Sequence, residues 1–278
     1  MLLLLLVLFF PITRALFLSF FEYNLATFEG AEFIGFKNYL DLFSNSSFLS
    51  ALWQTLYFVG ASIFLEFVFG LGIALILHQQ FKGRNLVRGL VLLPWMTTPV
   101  VIGFMFSRLL NASYGVVNYI FMSLGIISQP VAWLSDPDLA LQVIVAIDVW
   151  RETPFVTLIL LSGLQVIPME LYETARIDGA GPWARFRHVT FPLIKPAIAI
   201  ALLMRTMIAL RFFDIVWVTT RGGPGGSTEL LGTLAYKKAF QGFRIGYGSA
   251  VSFIIFVLSL IISLVYISRL HEQRGRDI

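Results

Sequence analysis

The sequence predicts an all-α integral membrane protein with about six membrane-crossing helices. Of its 278 residues, 58% are apolar and only 13% are charged, about half the charged share of a soluble domain. Mean hydropathy is +0.82. The apolar residues also gather into runs near the ~20 residues that a helix needs to cross a bilayer. So few charged groups cannot coat a water-facing body, and lipid must cover the remainder.

In order, the runs span 2–21, 49–77, 86–110, 139–163, 193–218 and 247–267, within one transmembrane domain over 1–278. Length decides these assignments, because the helices are apolar nearly all round and show no useful periodicity. The first run contains Pro11 and Arg14. It lacks a basic leader and a small-residue cleavage site, so it reads as a span rather than a signal peptide. The abrupt Met-Leu-Leu start leads us to expect a cytoplasmic leader upstream.

Basic residues set the orientation. One side carries ten: Lys82, Arg84 and Arg88, then Arg176, Arg185, Arg187 and Lys195, then Arg269, Arg274 and Arg276. The other carries five: Lys37, Arg221, Lys237, Lys238 and Arg244. The positive-inside rule therefore places both termini in the cytoplasm, with 22–48, 111–138 and 219–246 outside and 78–88 and 164–192 inside. The absence of cysteine excludes disulfides, thiol nucleophiles and thiolate metal sites. His78, His188 and His271 are scattered and form no metal-ligand spacing.

The inside segment 164–192 differs from the rest. Pro168 suits a first helical position, with Glu170 favoured in the first turn. That helix should run to about Asp178 and stop at Gly179-Ala180-Gly181. Pro182 should open a second short helix and Pro192 end it. Trp183, Phe186 and Val189 recur every third residue and predict an apolar stripe. Such a helix–turn–helix either docks a protein partner or lies on the lipid headgroups.

Glu173-Thr-Ala-Arg-Ile-Asp-Gly179, nine residues, then Val189-Thr-Phe-Pro192 resembles the signature of the permease subunits of binding-protein-dependent ATP-driven importers. That pattern is E-A-A, three residues, G, nine residues, I-x-L-P. Thr174, Val189 and Phe191 depart from it in residue type, while every spacing fits. The phrase around Leu171–Ala180 resembles the sugar and glycerol-phosphate branch, of maltose/trehalose type. Phe33-Ile-Gly-Phe-Lys-Asn-Tyr39, Trp133-Leu-Ser-Asp-Pro137 and Gly222-Gly-Pro-Gly-Gly-Ser-Thr228 are similar to that branch too.

The resemblance implies a permease of the bacterial or archaeal cytoplasmic membrane that imports a sugar, such as maltose, trehalose or a related oligosaccharide. It implies a second permease subunit, two ATP-hydrolysing subunits and an extracytoplasmic sugar-binding protein. Segment 164–192 would form the coupling helices, with Glu173, Ala175, Asp178, Gly179, Trp183, Phe186 and Pro192 at the contact with the ATPase. The chain has no G-x-x-x-x-G-K-[ST] phosphate loop, so ATP and magnesium would belong to the partner ATPase, and no cofactor or metal is expected in this chain.

Spans four and five hold charges that a bilayer disfavours by roughly 2.5–3.5 kcal/mol each. Asp148 and Arg151, like Arg211 and Asp214, are three residues apart and are expected to pair along their own helices. Glu66 looks isolated. Asp148, Trp150, Arg151, Glu152, Arg205, Arg211, Asp214 and Trp217 are the candidate substrate path, with fixing of helix packing between subunits as the alternative role for the charges. Pro154 is expected to break its helix and free carbonyls. The glycines of 222–226 allow a flexible surface loop or a contact with a partner.

A glycerol-phosphate importer and an ion-coupled secondary transporter are the alternatives, although no internal repeat relates 1–139 to 140–278. No H-E-x-x-H or G-x-S-x-G pattern supports a membrane enzyme.

Overall fold

The computed structural model describes residues 2–27 and 30–274; Met1, where a leader is expected upstream, and Arg276 of the last basic group lie outside the described residues. The described elements are helices plus one two-stranded ribbon. We label the helices α1 (Leu2–Ser19), α2 (Lys37–Ser44), α3 (Ser46–His78), α4 (Arg84–Met96), α5 (Pro99–Leu109), α6 (Val116–Ser123) and α7 (Ala140–Gln165). Then follow α8 (Met169–Ile177), α9 (Pro182–Arg185), α10 (Phe191–Ala209), α11 (Asp214–Thr219), α12 (Leu231–Tyr236) and α13 (Ile245–Arg274). Strands β1 (Phe21–Glu22) and β2 (Glu32–Phe33) pair antiparallel, with Phe21 opposite Phe33.

Among the described residues, Ser46–His78, Pro182–Thr219 and Ile245–Tyr266 are each long and apolar enough to cross a membrane. Two more crossings arise if α4 with α5, and α7 with α8, are each one broken span. The first expected span is α1, 18 residues long with Pro11 inside it.

Prolines and breaks depart from the sequence reading in four places. The expected span 86–110 is broken at Thr97–Thr98, because Pro99 disfavours helical geometry in the residue before it. Pro154 does not break α7, which continues to Gln165. In a bilayer, one missing backbone bond costs less than an unwound segment without water, and Thr153 and Thr157 add bonds to Val149 O (2.6 Å) and Thr153 O (2.9 Å). Pro192 does not end its helix either. A π-helical turn over Phe186–Thr190 precedes it and carries the chain into α10. The wider turn admits a ring that an α-helical turn would exclude. Expected span 193–218 is interrupted between α10 and α11, although no glycine or proline marks the spot. There Phe212 is buried and stacks on Phe58 with ring centroids 4.5 Å apart. Gly232 lets the Phe212 carbonyl approach to 2.9 Å from where a Cβ would stand.

The chain divides into two compact units. The first comprises residues up to Val59, Pro99–Ile144 and Ala209–Ile261. Its core packs Leu42, Phe48 and Ala51 against Leu231, Leu234 and Val251. Asn38 donates to the carbonyls of Ser19 (2.9 Å) and Phe21 (3.0 Å), anchoring the chain after α1. The second unit comprises Gly60–Thr98, Val145–Ile208 and the residues from Ile262 onward. Its core joins Ala74 and Leu77 of α3, Leu160 and Leu164 of α7, and Ile194 and Ala201 of α10. Gly163 brings α7 so near α10 that an added Cβ would lie 2.6 Å from Ala197 Cβ, the close approach that small residues allow between membrane helices.

Candidate coupling element and polar network

Local rules build the helix–turn–helix. Pro168 caps α8 with extended backbone, Glu170 lies in its first turn and Arg176 in its last, so both charges complement the helix dipole. The α8 axis turns 69° from that of α7. Gly179 has φ +79°, a left-handed conformation that side chains disfavour. Its N–H donates to Arg176 O (3.1 Å), and that of Ala180 to Ala175 O (2.9 Å), which closes the end of α8. Pro182 opens α9 as expected. The hydroxyls of Tyr172 and Thr190, 3.0 Å apart, join the two arms.

Glu173, Asp178, Gly179 and Trp183 are exposed, and Ala175, Phe186 and Pro192 are half-buried. Ile177 is 87% exposed and Trp183 71%. Trp183 stacks on Phe186 at 5.5 Å, while Val189 packs onto the core of the second unit. The predicted apolar stripe is therefore divided. One end is internal, and the other is a bare aromatic surface beside the turn.

The charges of the second unit do not form the expected Asp148–Arg151 pair. Arg205 of α10 donates from Nε to Glu66 Oε2 (2.6 Å) and from Nη2 to Glu66 Oε1 (2.8 Å). Its Nη2 also pairs with Asp148 of α7. Arg151 pairs with its neighbour Glu152 rather than with Asp148. Glu66 is thus not isolated, and the network ties α3, α7 and α10 together. Glu66, Asp148, Glu152 and Arg205 are all buried within the second unit. Arg205 and Glu66 have the bidentate geometry that best offsets desolvation of a guanidinium and a carboxylate. Trp150 of the same unit is 45% exposed.

In the first unit, Arg211 and Asp214 are both exposed and flank the break that precedes α11. Trp217 is half-buried and lies over Phe213 at 5.4 Å, nearly parallel, with Tyr236 edge-on at 4.7 Å. Tyr236 in turn meets Phe240 at 5.2 Å. Phe213, Tyr236 and Phe240 extend the candidate path beyond what the sequence reading named. The local signal was two pairs of aromatic residues four apart, Phe213 with Trp217 and Tyr236 with Phe240.

The loop after α11 is held rather than free. Buried Thr228 donates to Gly223 O (2.6 Å), and its hydroxyl lies 2.7 Å from that of Thr220. Residues 118–133 are also pinned: Asn118 Nδ2 donates to Val131 O (2.9 Å), and its Oδ1 accepts from Trp133 Nε1 (2.8 Å).

Residues 66–277 match the family described as binding-protein-dependent transport system inner membrane components. The chain belongs to that family. It is 44% identical over 235 residues to the trehalose/maltose transport system permease protein of Thermococcus litoralis, covering 84% of this chain and 79% of that one. It is 36% identical over 262 residues to the sulfoquinovosyl glycerol transport system permease protein of Agrobacterium fabrum, covering 94% and 84%. A chain of a bacterial alginate ABC transporter, solved in complex with an alginate pentasaccharide-bound periplasmic protein, shares the fold. Its TM-score is 0.82 at 24% identity, covering 95% of this chain and 89% of that chain. As a component of this transport family the chain is a membrane permease subunit and not a catalytic enzyme.

Proposed function

We propose that this family member lines the translocation path of an ATP-driven sugar importer and receives the drive for transport through the α8–α9 turn. The observation that carries this is the turn itself. A left-handed Gly179 projects exposed Ile177, Asp178 and Trp183 from the end of a membrane helix, next to a signature with family spacing. Glu173, Ala175, Asp178, Gly179, Trp183, Phe186 and Pro192 form the surface for a separate ATP-hydrolysing subunit, which binds ATP and magnesium. Two such subunits, a second permease subunit and an extracytoplasmic sugar-binding protein complete the assembly. The membrane is the cytoplasmic one, with both termini inside.

The cargo is a disaccharide such as trehalose or maltose, in keeping with the named relative at 44% identity. Sugars present hydroxyls at their edges and apolar C–H faces, and aromatic rings beside charged groups suit both. Trp217, Phe213, Tyr236 and Phe240 supply rings, and Arg211 and Asp214 supply hydrogen bonds. Trp150 and Arg151 are further candidate path residues. Asp148, Glu152 and Arg205, first read as path residues, act from behind by fixing the helices.

Reconstitution with the partner subunits in proteoliposomes tests the reading. ATP-dependent uptake of labelled trehalose or maltose delivered by the binding protein is the expected result. Uptake of glycerol phosphate but neither disaccharide would favour the alternative cargo. Uptake that follows an ion gradient without ATP would overturn the importer reading.

A further inference from the structure

The α8–α9 arm encloses a second feature, which shares only Trp183 and Phe186 with the proposed coupling surface. Between the arm and the ends of α3 and α7 lies a cleft of about 1160 Å³. Arg84, Arg176 and Arg185 line it together with His78, and no Asp or Glu does. Its floor is apolar, built from Leu75, Leu164 and Ile167, with Trp183 and Phe186 at one wall. The Nε of Arg185 is buried without a hydrogen-bond partner among the described residues. An unpartnered buried guanidinium N–H is costly unless an acceptor occupies the space beside it.

The position narrows the class of acceptor. The cleft lies where α3 ends at His78 and α7 ends at Gln165; α3 is long and apolar enough to cross a membrane, and α7 is the longer arm of a broken span with α8. Ends of spans lie at the level of the lipid headgroups. Gln165 also borders a narrower apolar groove of about 310 Å³ between α4 and α7, lined by Leu77, Val91, Leu158 and Leu161. Arg88, one turn after Arg84 on α4, faces that groove and likewise has a buried Nε without a partner among the described residues. Arginines at the mouth of apolar grooves, at headgroup depth, complement a molecule with an anionic head and hydrocarbon chains. A soluble anion would leave the apolar floor wet, and a neutral lipid would leave the guanidinium groups uncompensated.

We infer that this cleft is a binding site for an anionic phospholipid, with its phosphate on Arg84, Arg176 and Arg185. The lipid then packs against the inner side of the α8–α9 arm. Its occupancy supports the arm from the membrane side, opposite the exposed face formed by Ile177 and Asp178.

The test is native mass spectrometry of the assembled transporter, equilibrated with equal amounts of phosphatidylglycerol and phosphatidylcholine of the same acyl chains. A charge contact at the membrane surface is worth about fivefold in lipid retention per arginine. The expected result is at least about fivefold preference for phosphatidylglycerol. The preference should fall by that factor or more in Arg84→Gln with Arg185→Gln, and persist in Lys82→Gln, which removes an exposed charge outside the cleft. Equal retention of the two lipids by the unmutated complex overturns the site. So does an equal loss of preference in Lys82→Gln, or displacement of the lipid by an equal concentration of inorganic phosphate. If the double variant does not assemble, the unmutated complex and the single Arg84→Gln variant decide.

Discussion

Arg205 grips Glu66 through two parallel hydrogen bonds, of 2.6 and 2.8 Å, although 139 residues of chain separate them. Both side chains are fully buried, and the same guanidinium holds Asp148. One cation therefore binds two helices to a third inside the apolar part of the second unit.

Removing Arg205 alone leaves two buried carboxylates without their counter-charge. Breaking such a pair costs about 3–5 kcal/mol. We expect Arg205→Met to lower the melting temperature of the purified assembly strongly, and Glu66→Gln to do so less. In the double variant the two losses should be less than additive. Strictly additive losses would mean that the two residues act independently.

Gly179 separates backbone strain from charge. An added Cβ meets no atom within 4 Å, so the space is open and only the positive φ resists substitution. A non-glycine residue there costs roughly 1–2 kcal/mol, with Asn and Asp the best tolerated. Gly179→Asn and Gly179→Asp should therefore leave the subunit in the membrane equally well. Next to exposed Asp178, the aspartate variant should lose binding-protein-stimulated ATP hydrolysis about tenfold more than the asparagine variant, because a second carboxylate must be desolvated against the partner. Equal stimulation in both variants would remove the turn from the coupling surface.

The chain has no cysteine, so single introduced thiols report orientation cleanly. Ser44, at the exposed end of α2, should label from outside as Ser44→Cys; Ile177→Cys should label only after the membrane is opened. Ser227 is a poorer reporter, since its hydroxyl is buried. Labelling in the opposite sense would place the α8–α9 turn away from any cytoplasmic ATPase.

Tyr236→Leu keeps apolar bulk in the first unit but removes one ring of the row from Trp217 to Phe240. Loss of an aromatic contact is worth about 0.5–1.5 kcal/mol, or roughly two- to tenfold. Uptake measured against binding-protein concentration should fall by that factor while the assembly stays intact. Arg211→Ala should reduce the maximal rate as well, because it removes an exposed charge at the break before α11. Unchanged transport in both variants would leave the row as packing alone.

Read alone, the sequence determined whatever depends on neighbours within about four residues, or on bulk composition. The membrane class follows from 13% charge. The ends of α8, the left-handed Gly179 and the opening of α9 at Pro182 follow from capping and turn chemistry, which act locally. Tertiary structure alone decided which partners the intramembrane charges take. Helices that are apolar on all sides carry no stripe to mark the face turned inward, so Glu66 gave no sign of meeting Arg205. It also decided that Pro154 and Pro192 lie within continuous helices, while the chain breaks at 210–213 without either residue. In a bilayer no water satisfies an unwound backbone, so α7 and α10 persist through Pro154 and Pro192. Between α10 and α11 the break instead accompanies the packing of Phe212 on Phe58.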